Sequence, residues 1–245
     1  MQTKRDVLFS DASRTVGDFN SGEQTAEVFD DMLDRSVPMY RELQRMVGEL
    51  AGEFATEGSN VYDLGCSTGI TLETLHLPVS TGTTLIGLDY SEPMLERARQ
   101  RFQPMLESGR IRLEHADLNR GCLIENASVV VLNLTLQFVR PLYRDNLMRQ
   151  IVSGLNDNGV LILVEKVLAA DSTMNRLFIK FYYDMKRRNG YDEMEISQKR
   201  EALENVLIPY RVDENVELLK RSGLREVETF FRWYNFCGFV ALKRA

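Results

Sequence analysis

The block Asp63-Leu-Gly-Cys-Ser-Thr-Gly69 follows an apolar segment and opens a helical pattern. Its glycines permit a tight turn and close approach of a ligand to the backbone, and the helix after them offers free N–H groups at its N-terminus. Asp89 comes 20 residues after Gly69, at the end of a second apolar segment. An acid in that place accepts hydrogen bonds from a ribose diol. The spacing departs from GxGxxG, with Ser67 at the middle position and Asp63 ahead of the first glycine. An acid in the turn repels a pyrophosphate and welcomes an ammonium. The ligand chemistry that fits is a nucleoside with an amino-acid end, such as S-adenosylmethionine, rather than a dinucleotide. The plain alternative is a strand-turn-helix that merely needs glycine. It explains Gly65 and Gly69 but not their combination with Asp89.

Other residues could carry chemistry by type. His76 and His115 are the two histidines, and histidine is a common general base. His115 falls in a strand pattern beside Asp117 and His76 in a loop before Pro78, so both read as structural. Cys66 reads as a small filler of the turn. Arg200 lies on a charged helical stretch, where a solvated arginine is the ordinary reading. A guanidinium beside a sulfonium would not help methyl transfer, whereas it pairs bidentately with a carboxylate. The aromatic run Phe178, Phe181, Tyr182, Tyr183 reads as core or interface. Lys186-Arg187-Arg188 reads as a solvated helix face able to attract a small anion.

These residues need a scaffold, and the periodicity supplies one. Val28, Met32 and Leu33, then Tyr40, Leu43, Met46, Val47 and Leu50, mark two helices within a helical preface over 1–58, with Pro38 near the start of the second. Strands are predicted at Asn60-Val-Tyr-Asp-Leu64, Thr84-Leu-Ile-Gly-Leu-Asp89, 110–115, 127–133 and 160–166, the fourth being a β-branched run suited to burial on both faces. Helices are predicted over 93–102, with Ser91 as N-cap, and over 142–155, ending in the turn Asn156-Asp-Asn-Gly159. Strands alternating with helices imply βαβ units and a mostly parallel sheet. Residues 172–222 read as helical, with 172–210 as an insertion, and 224–242 as two antiparallel strands around Trp233 to Asn235. One domain over 1–245 accounts for the pattern.

Composition narrows the partners. The 245 residues, 44% hydrophobic and 27% charged, suit one α/β domain and exclude low-complexity and collagen-like classes. A net charge of −6 argues against a broad nucleic-acid footprint. Cys66, Cys122 and Cys237 form neither a CxxC nor a CxxH, which predicts no zinc site and no disulfide framework. No apolar segment comes after Met1-Gln-Thr-Lys-Arg-Asp6, and no run reaches the length of a membrane helix. The expectation is a cytoplasmic protein with no signal peptide and no membrane contact.

The block 63–69 resembles motif I of class I methyltransferases. In that comparison Asp117 stands where such proteins bind the adenine amino group and Asn133 faces the methyl-transfer position. The closing antiparallel pair is also typical of them. The resemblance is closer to the carboxy-S-adenosyl-L-methionine synthase family, over nearly the whole chain. It is carried by Arg5-Asp-Val-Leu-Phe9, Ala26-Glu-Val-Phe29, Arg35-Ser-Val-Pro38 with Tyr40, Val61-Tyr-Asp-Leu-Gly-Cys-Ser67, Glu125-Asn-Ala-Ser128 and Val131-Leu-Asn-Leu-Thr-Leu-Gln-Phe138. The most specific segments are Asn189-Gly-Tyr191, Glu195-Ile-Ser-Gln-Lys-Arg200 and Leu203-Glu-Asn-Val206, which lie outside the generic cofactor fold.

The resemblance implies a class I methyltransferase-like, Rossmann-like α/β fold with an antiparallel last strand and helical additions. It implies synthesis of carboxy-S-adenosyl-L-methionine and phenylpyruvate from S-adenosyl-L-methionine and prephenate, with no methyl transferred and no metal. Prephenate would supply both the base and the carbon dioxide. Tyr40, Gly65, Cys66, Ser67, Asp89, Tyr90, Asp117, Leu118 and Asn133 would surround the cofactor, and Arg200 would hold the carboxylate. Tyr90 stands where a smaller polar residue is expected, and 68–70 and 101–112 also depart from the pattern. The product would pass to a separate enzyme that builds a 5-oxyacetic acid group on a tRNA wobble uridine. A homodimer and no direct nucleic-acid contact are further expectations. The alternatives are an ordinary small-molecule methyltransferase and a non-enzymatic cofactor-binding scaffold.

Overall fold

The computed structural model describes residues 4–10 and 22–244. Met1 to Thr3, and residues 11–21 of the expected 1–58 preface, lie outside the described residues. Two helices precede the sheet, α1 (Glu23–Ser36) and α2 (Tyr40–Phe54). Then β1 (Asn60–Leu64), α3 (Ile70–His76), β2 (Thr84–Asp89), α4 (Glu92–Glu107), β3 (Ile111–His115), β4 (Ala127–Asn133), α5 (Pro141–Gly154) and β5 (Leu155–Leu168) alternate. After them come α6 (Ser172–Arg188), α7 (Glu193–Leu203), β6 (Tyr210–Arg211), α8 (Val212–Arg221), β7 (Val227–Trp233) and β8 (Phe236–Leu242). The main path through the sheet runs β3-β2-β1-β4-β5-β8-β7, and β6 pairs with β5. Strands β1 to β5 are mutually parallel, and β8 is antiparallel to both β5 and β7.

The sheet is apolar on both faces because helices cover both. Along β4, Val130 and Leu132 join one core with Leu147, Ile151, Leu218 and Phe239. Val129 and Val131 face the other way, into Leu43, Val47, Leu72, Leu95 and Phe102. This places β1 and β4 centrally, and chain order reverses direction between them. Ligands of open α/β sheets bind at such a switch point, beyond the carboxyl ends of the strands. The sequence brings Gly65, Asp89, Asp117, Asn133 and Lys166 to that edge.

Four departures from the sequence reading stand out. Helix α4 runs past Phe102 through a kink there and on past Pro104, while Ser91 Oγ accepts from the Met94 N–H at 3.3 Å as expected of the cap. Residues Asn156 to Gly159 do not leave the sheet as a turn. They form an irregular start to β5, with Asn158 at φ 61°, stitched by Asn158 N–H to Lys243 O and Lys243 N–H to Gly159 O, both 2.9 Å. The stretch 172–222 is not all helix, since Tyr210 and Arg211 pair with Val167 and Leu168. Two residues are too short for a period-2 pattern to register. His76 ends helix α3 rather than lying in a loop.

Candidate functional site

A cleft of about 470 Å³ opens at the switch point. That volume suits a small ligand. Its wall includes Tyr40, Gly65, Cys66, Ser67, Asp89, Tyr90, Asp117, Leu118 and Asn133, so all nine residues expected around a cofactor are brought together. The turn after β1 is held open by geometry. Gly65 and Gly69 sit at φ 79° and 87°, and a Cβ on Gly65 would stand 2.4 Å from Thr135 Cγ2. Asp89 closes the turn onto β2. Its Oδ2 accepts from Ser67 N–H at 2.9 Å and its Oδ1 from Ser91 N–H at 2.8 Å. Burial raises its carboxyl above the usual range, opposed by those N–H groups. A carboxylate oxygen accepts more than one hydrogen bond, so Asp89 keeps capacity for a diol. Tyr40 is buried and its hydroxyl accepts from Gln44 Nε2 at 2.8 Å.

Asn133 Nδ2 donates to Thr71 Oγ1 at 3.2 Å, while its buried Oδ1 has no hydrogen-bond partner among the described residues. An unsatisfied buried acceptor on a cleft wall calls for a donor from a ligand. With the Gly65 cradle and the Asp89 carboxylate, this donor set fits a nucleoside carrying an amino-acid end. Tyr90, the departure from the expected smaller residue, is 58% exposed on the wall.

Two residues singled out in the sequence lie outside this chain's cleft wall. Asp63 does not reach the cleft. It is buried beneath the turn, and burial with Asp89 beside it pushes its carboxyl up to about 8. Its Oδ2 has no hydrogen-bond partner among the described residues. Arg200 is exposed on α7 and is not part of its own chain's cleft wall. Neighbouring helix positions differ by about 100° in direction. Lys199, one residue earlier, is therefore the one turned inward, with its ammonium 3.0 Å from Ser36 Oγ.

The raised Asp63 carboxyl has a measurable consequence. An acid whose folded pKa lies above its unfolded value contributes stability that is complete below the unfolded pKa and is lost as pH rises through the folded one. For Asp63 that window runs from 3.8 to about 8. Urea unfolding across it should show Asp63→Asn gaining on the wild type by up to about 1.4 kcal/mol per pH unit. A constant difference would mean that Asp63 is ionised throughout.

Several cleft residues escaped the sequence reading. Lys166 lies near the end of β5, and Tyr182 of α6, Lys199 and Phe236 complete that side of the wall. Lys186, read as part of a solvated run, is 3% exposed, while Arg187 and Arg188 do face solvent. Glu165 is buried, and burial pushes it up to about 8 against the pull of Arg144 and the N–H groups of Leu136 and Gln137. It braces the 134–140 segment that carries Thr135. A helical charge pattern cannot tell an inward lysine from an outward one. The signal was the chain's distinctive segments themselves, which converge here. Asp6 Oδ2 accepts from Tyr191 OH at 2.6 Å and lies 3.7 Å from Lys199 Nζ. Arg35 donates to Asn189 O and Gly190 O, both at 2.9 Å. Among the described residues no histidine lines the cleft, and burial pushes the Cys66 thiol far up, as befits a filler.

Comparison with known proteins agrees with this layout. Residues 61–159 match the methyltransferase domain family. Among solved structures, a putative S-adenosyl-L-methionine-dependent methyltransferase from Methanococcus maripaludis superposes with a TM-score of 0.63 at 15% identity, over 95% of this chain and 98% of that one. An O-methyltransferase family protein from Burkholderia thailandensis gives 0.64 at 16%, over 89% and 60%. At these identities the likeness shows the class I methyltransferase fold alone. Sequence relatives reach further. A carboxy-S-adenosyl-L-methionine synthase from Methylococcus capsulatus is 53% identical over 98% of this chain and 99% of its own. One from Desulfotalea psychrophila is 42% identical over 99% of each. Identity at this level extends over nearly the whole length of both chains, and the chain belongs to the carboxy-S-adenosyl-L-methionine synthase family.

Proposed function

We propose that the protein converts S-adenosyl-L-methionine and prephenate to carboxy-S-adenosyl-L-methionine and phenylpyruvate. The observation that carries this is the polarity of the cleft. Asp89 and Asp117 stand at the β2–β3 side, where a ribose and adenine need acceptors. Across the switch point the wall carries Lys166 and Lys199. Ammonium groups near a sulfonium are unfavourable for plain methyl transfer. They suit a site where a carboxylate enters and a second one forms.

The atoms balance without an added base. Prephenate loses its ring carboxylate as carbon dioxide and its hydroxyl as hydroxide. The hydroxide takes one proton from the sulfonium methyl and leaves as water, and that carbon bonds to carbon dioxide. The chain's contribution is to orient the two substrates, exclude water and hold the charge. A cytoplasmic setting, and delivery of the product to a separate tRNA-modifying enzyme, belong to the same reading.

The homodimer is part of this proposal. Helix α6 spans 17 residues yet fully buries only Met185 and Lys186, and it leaves Met174 49% and Leu177 37% exposed. Such a face suits a second copy. Arg200, outside its own cleft, then serves the carboxylate only from a partner subunit.

Asp89→Ala should weaken S-adenosyl-L-methionine binding by about 1.5–3 kcal/mol in calorimetry, the cost of losing hydrogen bonds to a charged acceptor. The chain should stay folded, because Asp89 ends β2 on the cleft wall and belongs to neither apolar core. Unchanged affinity would remove Asp89 from the site. The function itself is tested by mass spectrometry of the ligand that purified protein carries. A carboxylated adduct supports it, and S-adenosylhomocysteine favours ordinary methyl transfer.

A further inference from the structure

Lys166, Lys186 and Lys199 come from three different elements and converge around two aromatic rings. The Lys166 ammonium lies 4.8 Å from the centre of the Tyr182 ring. That of Lys186 lies 5.8 Å from the same ring and 5.1 Å from Tyr191. That of Lys199 lies 5.4 Å from the Tyr191 ring centre. Carboxylates are scarce among these ammoniums. Asp6 stands 3.7 Å from Lys199 and already accepts from Tyr191. Glu195 is occupied in capping α7, where its Oε2 accepts from Asp192 N–H at 2.8 Å. Neither Lys166 nor Lys186 has a carboxylate within ion-pairing distance among the described residues.

Ring faces attract cations weakly compared with a carboxylate. Buried charge left without a counter-ion is costly. The strain shows in the lysines themselves. Burial lowers Lys166 and Lys199 to about 8, and burial with the neighbouring lysines lowers Lys186 to about 7. A cluster of this kind is built to be completed by an anion. Lys166 and Lys199 reach the cleft wall, and Tyr182 and Phe236, whose ring centres are 5.4 Å apart, line the same cleft. The wall thus offers two ammoniums and an apolar face.

We propose that Lys166 and Lys199, backed by Lys186, form the subsite for the second substrate, a compact ring bearing two carboxylates, with Tyr182 and Phe236 against the ring. This rests on the function proposed above and goes beyond it by naming the residues that select a dianion. It also gives the segments 4–10 and 189–191 a purpose. Asp6 and Tyr191 hold Lys199 at the wall rather than touching substrate.

Steady-state kinetics of the full chain decide it. Lys166→Met should raise KM for prephenate by about 30-fold or more, the effect of removing one member of a buried charge pair. Calorimetric affinity for S-adenosyl-L-methionine should stay within about twofold, and Lys166→Arg should recover most of the loss, because charge is what is required. Lys199→Met should behave alike. If losing its bonds to Ser36 and Asp6 unfolds it, Lys166→Met still decides, since among the described residues the Lys166 ammonium meets the Tyr182 ring and no hydrogen-bonding or ion-pairing partner. On the wild type, malonate should compete with prephenate and not with S-adenosyl-L-methionine. An unchanged prephenate KM in a variant that turns over would overturn the subsite and leave the proposed function standing. Equal losses for both substrates would assign the lysines to the common ligand and also overturn it. Failure of the wild type to consume prephenate at all would instead remove the function, and the subsite with it.

Discussion

Gly65→Val should weaken S-adenosyl-L-methionine binding by roughly 30-fold or more in a chain that still folds. Gly65 holds φ 79°, a left-handed conformation that costs an L side chain about 1–2 kcal/mol. A Cβ there would also meet Thr135 Cγ2 at 2.4 Å and Thr135 Oγ1 at 2.5 Å. Overpacking of that kind costs about 1–3 kcal/mol more. Together these amount to about 2–5 kcal/mol, or roughly 30-fold to several thousand-fold in affinity if the turn yields rather than the sheet. Strand β1 is bonded on both sides, to β2 and β4, whereas Gly65 and Thr135 both line the open cleft. The milder pair Gly65→Ala with Thr135→Ala separates the causes. It removes both close atoms and leaves the Thr135 Cβ at 3.0 Å. Titration should show the pair regaining the steric share and keeping the conformational one. Wild-type affinity in Gly65→Val would mean that the ligand does not approach this backbone.

Arg200→Leu should cut prephenate-dependent turnover by the equivalent of about 2–5 kcal/mol while sparing S-adenosyl-L-methionine affinity, because only the added carboxylate gains from the guanidinium. Arg200 is exposed on α7, outside its own cleft, so the loss should depend on the partner subunit. Unfolding and refolding a mixture of Arg200→Leu with Asp89→Ala makes this visible. In a mixed dimer one cleft has an intact Asp89 and receives Arg200 from the other chain, so activity should reappear. No recovery in verified mixed dimers would place Arg200 in its own subunit's site after a rearrangement. Full activity of Arg200→Leu alone would return it to the solvent face.

The cofactor half of the cleft is legible in the sequence because each of its residues is tied to a strand end. A β-branched run such as Val129 to Val131 announces a buried parallel strand, and the residues at its C-terminal end must lie at the carboxyl edge of the sheet. Gly65, Asp89 and Asn133 are located by that rule alone. The other half depends on helix rotation and on distant segments. Lys199 and Arg200 are adjacent in sequence and opposite in fate, and only the packing of α7 against Ser36 and Asp6 decides between them. Likewise Lys186 turns inward while Arg187 pairs with Asp184 and Glu193 at the surface. Asp63 shows the same limit. Its place at the turn is plain from the sequence, but its side chain is buried beneath the turn, where burial raises its carboxyl.

If this cleft makes a carboxylated sulfonium from two small substrates, the added carbon must come from one of them. The direct measurement incubates pure protein with S-adenosyl-L-methionine and prephenate labelled with carbon-13 in its ring carboxylate, and reads the products by mass spectrometry. The expected product is S-adenosyl-L-methionine heavier by one labelled carbon dioxide, with unlabelled phenylpyruvate in equal amount. S-adenosylhomocysteine as the only nucleoside product, or a carboxylated product without the label, would contradict it.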